Sequence, residues 1–254
     1  MMRSALTALL LSGAAACQLV SQDLAPPTPQ RRTFSVSTAT PRAGQLDLEL
    51  GLAHDLGDGI ALPATLRWGA DEQSELFLGG VPWSERDDTD GRGVGDVTLG
   101  ARRRVREQHE DEPSLALQAA VKIPTADADE GLGSGEMDLL LAGILSRDEG
   151  VKSSTLYYQL GLLGESGDQG IDLEHLLTAA FSQSIDERLG LFAEVAGVWS
   201  PEQERSGAYL VLGATWAPSA VAVVDVAAQF GFGDDAEDLV LVIGLSRALG
   251  RLIW

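Results

Sequence analysis

The chain is short of the residues on which most enzymes and helical membrane proteins depend. Of 254 residues one is cysteine, Cys17, so no disulfide can form within the chain and no cysteine–histidine set for zinc exists. Only three histidines occur, His54, His109 and His175. His54 adjoins Asp55 near an expected outer loop, but a surface histidine beside an acid is usually incidental, and the expectation is no enzyme and no cofactor. Lys and Arg total 18 against 38 Asp and Glu, a net charge of −20, which excludes nucleic acid as a partner because phosphate binding needs a cationic surplus. Beyond the N-terminal residues no apolar run is long enough for a membrane-spanning helix. The glycine runs Gly91 to Gly95 and Gly131 to Gly135 lack the Lys-Ser/Thr of a phosphate loop.

What remains is alternation. Gln45-Leu-Asp-Leu-Glu-Leu-Gly-Leu52 as a strand aims four leucines one way and Gln45, Asp47 and Glu49 the other. Such runs recur, cut by turns that draw on 29 glycines. They fall at Ile60 to Trp68, a short and weak Ser74 to Gly80, Gly95 to Val105, Ser114 to Ile123, Glu136 to Arg147 and Ser154 to Leu163. Further runs are Asp172 to Ser184, Arg188 to Trp199, Ala208 to Trp216, Ala220 to Phe232 and Asp238 to Arg247. The expected fold is all-β: a single antiparallel transmembrane barrel of about 12 strands, of outer-membrane type.

Connections support this. Val81 to Arg92 and Thr125 to Gly135 are long, whereas Ala70 to Gln73, Ile185 to Glu187 and Ala217 to Ser219 are short, the asymmetry of extracellular loops and periplasmic turns. Trp68, Trp83, Trp199, Trp216 and Trp254 near strand ends suit interfacial girdles. Residues 1–17 read as a secretory signal, with Arg3, an apolar stretch and Ala14-Ala-Ala-Cys17. Cys17 stands where a lipobox cysteine would be lipidated, although Ala14 replaces the usual leucine; ordinary cleavage nearby stays open. Residues 18–43, with Pro26, Pro27 and Pro29, read as a flexible leader, and residues 44–254 as the barrel.

Gly93-Val-Gly-Asp-Val-Thr-Leu-Gly100, Val121-Lys-Ile-Pro-Thr-Ala-Asp127, Gly131-Leu-Gly-Ser-Gly135 with Asp138, Leu160-Gly161 and Leu189-Gly-Leu-Phe-Ala-Glu-Val-Ala-Gly197 occur in this order. Together they resemble the outer-membrane barrel transporters of the meta-pathway phenol-degradation family. Ala126 and Leu162 depart from that pattern, where glycine and an aromatic residue are usual. The resemblance implies a small barrel in the outer membrane of a Gram-negative cell, moving hydrophobic or aromatic solutes. It implies a small apolar solute as partner, while the barrel itself implies outer-membrane lipid, the terminal Trp254 the barrel-insertion machinery, and the acidic stretches lipopolysaccharide.

The alternation also selects side chains for the interior. Arg67, Asp96, Arg102, Arg104, Lys122, Asp138 and Glu194 are the candidate lumen residues, with Asp47, Glu49 and Asp225 of the same parity. Paired across strands they would fill the lumen as readily as line a pore. The acidic stretches Asp87 to Asp90, Asp127 to Glu130 and Asp234-Asp235 lack calcium-loop spacing and read as solvated charge, so no metal site is expected. Three functions stay open: a porin-like channel or transporter, a filled barrel without conductance, and a soluble periplasmic β-protein.

Overall fold

The structure is a computed structural model that describes residues 18–20, 24–30, 34–87, 91–164, 170–201, 205–233 and 236–253. In chain order the strands are β1 (Gln18–Val20), β2 (Gln45–Asp55), β3 (Gly59–Gly69), β4 (Ser74–Arg86), β5 (Arg92–Gly93), β6 (Val97–Arg106) and β7 (Ser114–Ile123). They continue with β8 (Asp138–Glu149), β9 (Lys152–Gly164), β10 (Ile171–Ser184), β11 (Leu189–Ser200), β12 (Arg205–Ser219), β13 (Ala222–Phe232) and β14 (Leu239–Ile253). Twelve of these, β2 to β4 and β6 to β14, pair with their chain neighbours in antiparallel fashion. Pairing of β14 with β2, from Val240↔Asp55 to Arg251↔Gln45, closes the ring. β1 adds to the end of β14 at Arg251 to Ile253, beyond the stretch that β13 covers, and β5 makes a two-residue pairing with β4.

Closure removes both free edges, so the strands satisfy one another's amides without water, as a lipid-exposed wall requires. Every second side chain accordingly meets the outside. Leu50 and Leu52, Leu76 and Leu78, Leu139 and Leu141, Leu191 and Val195, and Leu241, Ile243 and Leu245 all stand exposed on the outer face. The inner parity carries Asp47, Glu49, Arg67, Glu75, Arg102, Asp138, Asp172, Glu194 and Asp225, all buried. Large apolar groups outside and charges inside reverse the usual distribution of a water-soluble protein, and a hydrocarbon surround is what makes it stable.

Several expected boundaries change. The weak third strand runs on to Arg86, because the ladder slips between Leu62↔Trp83 and Ala64↔Gly80 and then resumes. Pro63 and Pro82 lie at that irregularity, where a missing amide hydrogen is tolerated. The turn expected at Ala217 to Ser219 belongs to β12; the chain reverses at Ala220 and Val221. Similarly, a bulge between Ala248 and Gly250 absorbs the interruption at Gly250-Arg251 and lets β14 reach Ile253.

The rim where β2 starts and β14 ends is termed proximal, and the opposite one distal. The outward tryptophans Trp83 and Trp199 sit toward the distal rim and Trp216 toward the proximal one, as girdles require. His175 also faces outward, hydrogen-bonded to Tyr158 Oη (2.8 Å) and stacked on Trp199 at 5.1 Å. Trp254, Cys17 and the acidic residues Asp88, Asp90, Asp234 and Asp235 lie outside the described residues.

Candidate functional site

The lumen is occupied. Of the segment expected as a flexible leader, residues 24–30 and 34–43 lie inside the proximal half of the barrel, the two stretches joined by Gln30 Nε2 donating to the Ala39 carbonyl (3.2 Å). Its entry is clamped by Gln45, whose side chain accepts from the Ala25 amide at 2.9 Å and donates to the Ala25 carbonyl at 3.1 Å. Its exit is Gly44, in the left-handed region at φ 77, where an added Cβ would press on the Leu252 carbonyl. Around Pro26, Pro27 and Pro29 the chain lacks amide hydrogens for a ladder, so the peptide groups there turn to wall side chains.

Two groups of wall residues hold it. On one side Arg67 bridges Glu49 (3.1 Å) and Glu75 (2.6 Å), and Arg102 pairs with the second Glu75 oxygen at 2.7 Å. The same guanidiniums donate to leader carbonyls: Arg67 to Thr28 at 3.0 Å and Arg102 to Ala39 at 3.0 Å. Glu49 in turn accepts the Gln30 amide at 3.0 Å. Across the lumen, Glu194 takes the Phe34 amide on one oxygen and the Ser35 amide on the other, both at 3.0 Å. Thr38 completes the attachment through its amide to Ser146 Oγ (3.2 Å) and its hydroxyl to Ser114 (2.7 Å).

Beneath Phe34 the wall is apolar. Ile144, Tyr157, Leu176, Ala196 and Tyr209 form one buried cluster on β8 to β12, and Phe192, Val211 and Ala227 a second; Phe34 packs against both. Its ring lies 4.7 Å from that of Tyr209. Phe192 in turn covers Gly213 on the neighbouring strand, where a Cβ would strike the ring. Vestibules open on either side of the leader. The proximal one, about 380 Å³, is lined by hydroxyls of Ser35, Ser37, Thr38, Ser114, Ser146 and Thr155 among others. The distal one, about 630 Å³, is bordered by Asp58, Arg86, Asp96, Lys122 and Leu132.

All of Arg67, Asp96, Arg102, Arg104, Lys122, Asp138 and Glu194 fall on the inner wall, but in separate places. Arg67 and Arg102 share Glu75. Lys122 pairs instead with Asp96 (3.1 Å) and Asp138 (2.8 Å) toward the distal rim. Arg104 lies proximally, bound to Glu107 (2.8 Å) and close to the Thr38 carbonyl. Burial pushes the Asp96 carboxyl up, but the amides of Ala126 and Thr125 and the Lys122 ammonium outweigh it and hold the group below its ordinary range. Sequence reasoning missed Glu75, which sits at the start of the strand thought weak, and missed Phe34, Ser35, Thr38 and Ala39. Alternation of Phe34 and Val36 with Ser35 and Ser37 was the available signal. Arg42 with Arg31-Arg32 also gives the leader an excess of cations against an acidic barrel.

A family model described as "Putative MetA-pathway of phenol degradation" matches residues 30–246. Among solved structures, an outer membrane channel from Pseudomonas putida F1 superposes with a TM-score of 0.68 at 13% identity, over 85% of this chain and 99% of that one. The NanC porin (TM-score 0.57, 10% identity) and the KdgM porin (0.56, 7%) each cover 80% of this chain and 98% of their own. No curated protein sequence matches. With that match over most of its length and a closed ring of twelve strands, the chain belongs to the MetA-pathway phenol-degradation family of outer-membrane β-barrels.

Proposed function

We propose that the protein is a passive channel in the outer membrane for small apolar and aromatic solutes, with residues 24–30 and 34–43 as a displaceable plug. The observation that carries this reading is the apolar wall around Tyr157, Leu176, Phe192 and Tyr209, which faces the lumen and against which Phe34 and Val36 of the leader pack, together with Ala236. Residues 24–30 and 34–43 are attached by hydrogen bonds and ring packing without sheet pairing, so they can leave while the ring of strands persists. The family's description points to aromatic chemistry, and the channel and porins share the fold. A conduit needs no catalytic group, and the lumen side chains serve here to bind and orient.

The filled-barrel alternative draws on the Arg67–Glu49–Glu75–Arg102 network, which ties the leader to the wall. A reversible tether separates the two. In a Thr38→Cys, Ser114→Cys protein, whose parent hydroxyls are 2.7 Å apart, oxidation locks the leader in place. Reconstituted in liposomes, the reduced protein should admit small aromatic solutes and the oxidised one should not. Equal uptake in both states removes the plug; no uptake in either leaves the filled barrel.

A further inference from the structure

The leader presents one residue to the apolar wall in a manner that defines a ligand. The Phe34 ring packs on Tyr209 at 4.7 Å, while its own amide N–H, two carbons from the ring, meets the buried Glu194 carboxylate at 3.0 Å. Those ring, Cβ, Cα and nitrogen atoms are the skeleton of 2-phenylethylamine. We propose that the niche formed by Tyr209, Phe192, Val211 and Glu194 is a binding site for small aryl-alkyl amines, and that Phe34 occupies it as an internal surrogate.

Three features converge on that class. The apolar walls of the niche suit a ring of one benzene unit, since Phe34 already fills it. The carboxylate is 1% exposed and takes two N–H donors, so an ammonium, with three donors, satisfies the same oxygens and supplies the opposite charge. The sign of the ligand is set by Glu194 itself. An aromatic carboxylate entering the niche would bring its anion against that buried carboxylate, while Arg67 and Arg102 are held by Glu75, although two N–H groups of Arg102 keep no partner among the described residues. Neutral aromatics gain the ring contact alone.

The proposal rests on the channel reading only in placing the niche along the solute's path, and binding tests it without conduction. In the full chain carrying Phe34→Ala, calorimetric titration in detergent should show 2-phenylethylamine binding roughly tenfold or more tighter than 3-phenylpropionate, the bulkier carboxylate counterpart. Adding Glu194→Gln should bring that ratio close to one. In the unmodified protein the amine should speed hydrogen exchange of the Phe34 and Ser35 amides by competing with Phe34, and the carboxylate should not. Equal affinities, a preference for the carboxylate, or no amine binding with the barrel intact by heat-modifiable mobility would overturn the assignment, as would an unchanged exchange rate. Conductance without amine preference sinks this inference alone; amine binding without conductance sinks the channel alone.

Discussion

Glu194→Gln is the most direct probe of how the leader is held. Its carboxylate accepts two backbone amides at 3.0 Å in a site from which water is excluded. Hydrogen bonds to a charged acceptor contribute about 1.5–3 kcal/mol each. Glutamine keeps one oxygen, now neutral, and sets an NH₂ against the second amide, so one bond is lost and the other weakened, about 3 kcal/mol in all. That corresponds to roughly a hundredfold rise in the undocked fraction. The barrel itself loses a buried charge and should melt no earlier than the parent. Hydrogen exchange of the Phe34 and Ser35 amides reads the difference, since it follows the open population when docking is fast relative to exchange. A roughly hundredfold faster exchange with unchanged heat-modifiable mobility is the expected result. Equal rates in parent and variant, with both folded, would show that Glu194 does not retain the leader.

Other sites make independent predictions. Glu75→Ala leaves Arg67 and Arg102 buried without their shared carboxylate and should cost about 3–5 kcal/mol, read as a lower urea midpoint for folding into vesicles; an unchanged midpoint would mean that Glu49 and leader carbonyls suffice. Val195→Arg places a cation on the outer face, at a residue 54% exposed, and should cost about 2–4 kcal/mol in bilayers if that level lies near the midplane; a neutral effect would remove this face from the hydrocarbon. The Asp96 carboxyl is held below its ordinary value of 3.8, so its stabilisation of the Thr125–Ala126 backbone is complete above that value and fades as pH falls through the lowered one. Acid should therefore expose the loop after Ile123 to pepsin in the parent, whereas Asp96→Asn should cleave at a pH-independent excess. Parallel pH profiles would contradict that linkage.

Much of the wall was legible in the residues. Period-two alternation is a local property, because a strand sends successive side chains to opposite faces whatever its neighbours are. Leu46 to Leu52 against Asp47 and Glu49 thus announced both the outer face and the charged interior, and Ser114–Ile123 was bounded correctly at both ends. Glu75 escaped because Gly79, Gly80 and Pro82 break the pattern of β4 just beyond it, and only pairing with β3 and β6 carries the strand through. The membrane-facing stripe, the inner parity and the approximate number of strands therefore belong to the sequence.

The partner of each inner charge does not. Arg102 finds Glu75 on one neighbouring strand while Lys122 finds Asp138 on the other, a choice set by register and barrel curvature. Within residues 24–43 only Phe34 to Ser37 alternate, a stretch too short to demand burial, and the prolines and serines around it read equally well as a solvated linker. Residues 24–30 and 34–43 are drawn inside because a closed ring of this size leaves a gap between charged and aromatic walls, and their amides, carbonyls and Phe34 satisfy both at once. Such a gap exists only after the last strand has met the first, so no local pattern along the chain encodes what fills it.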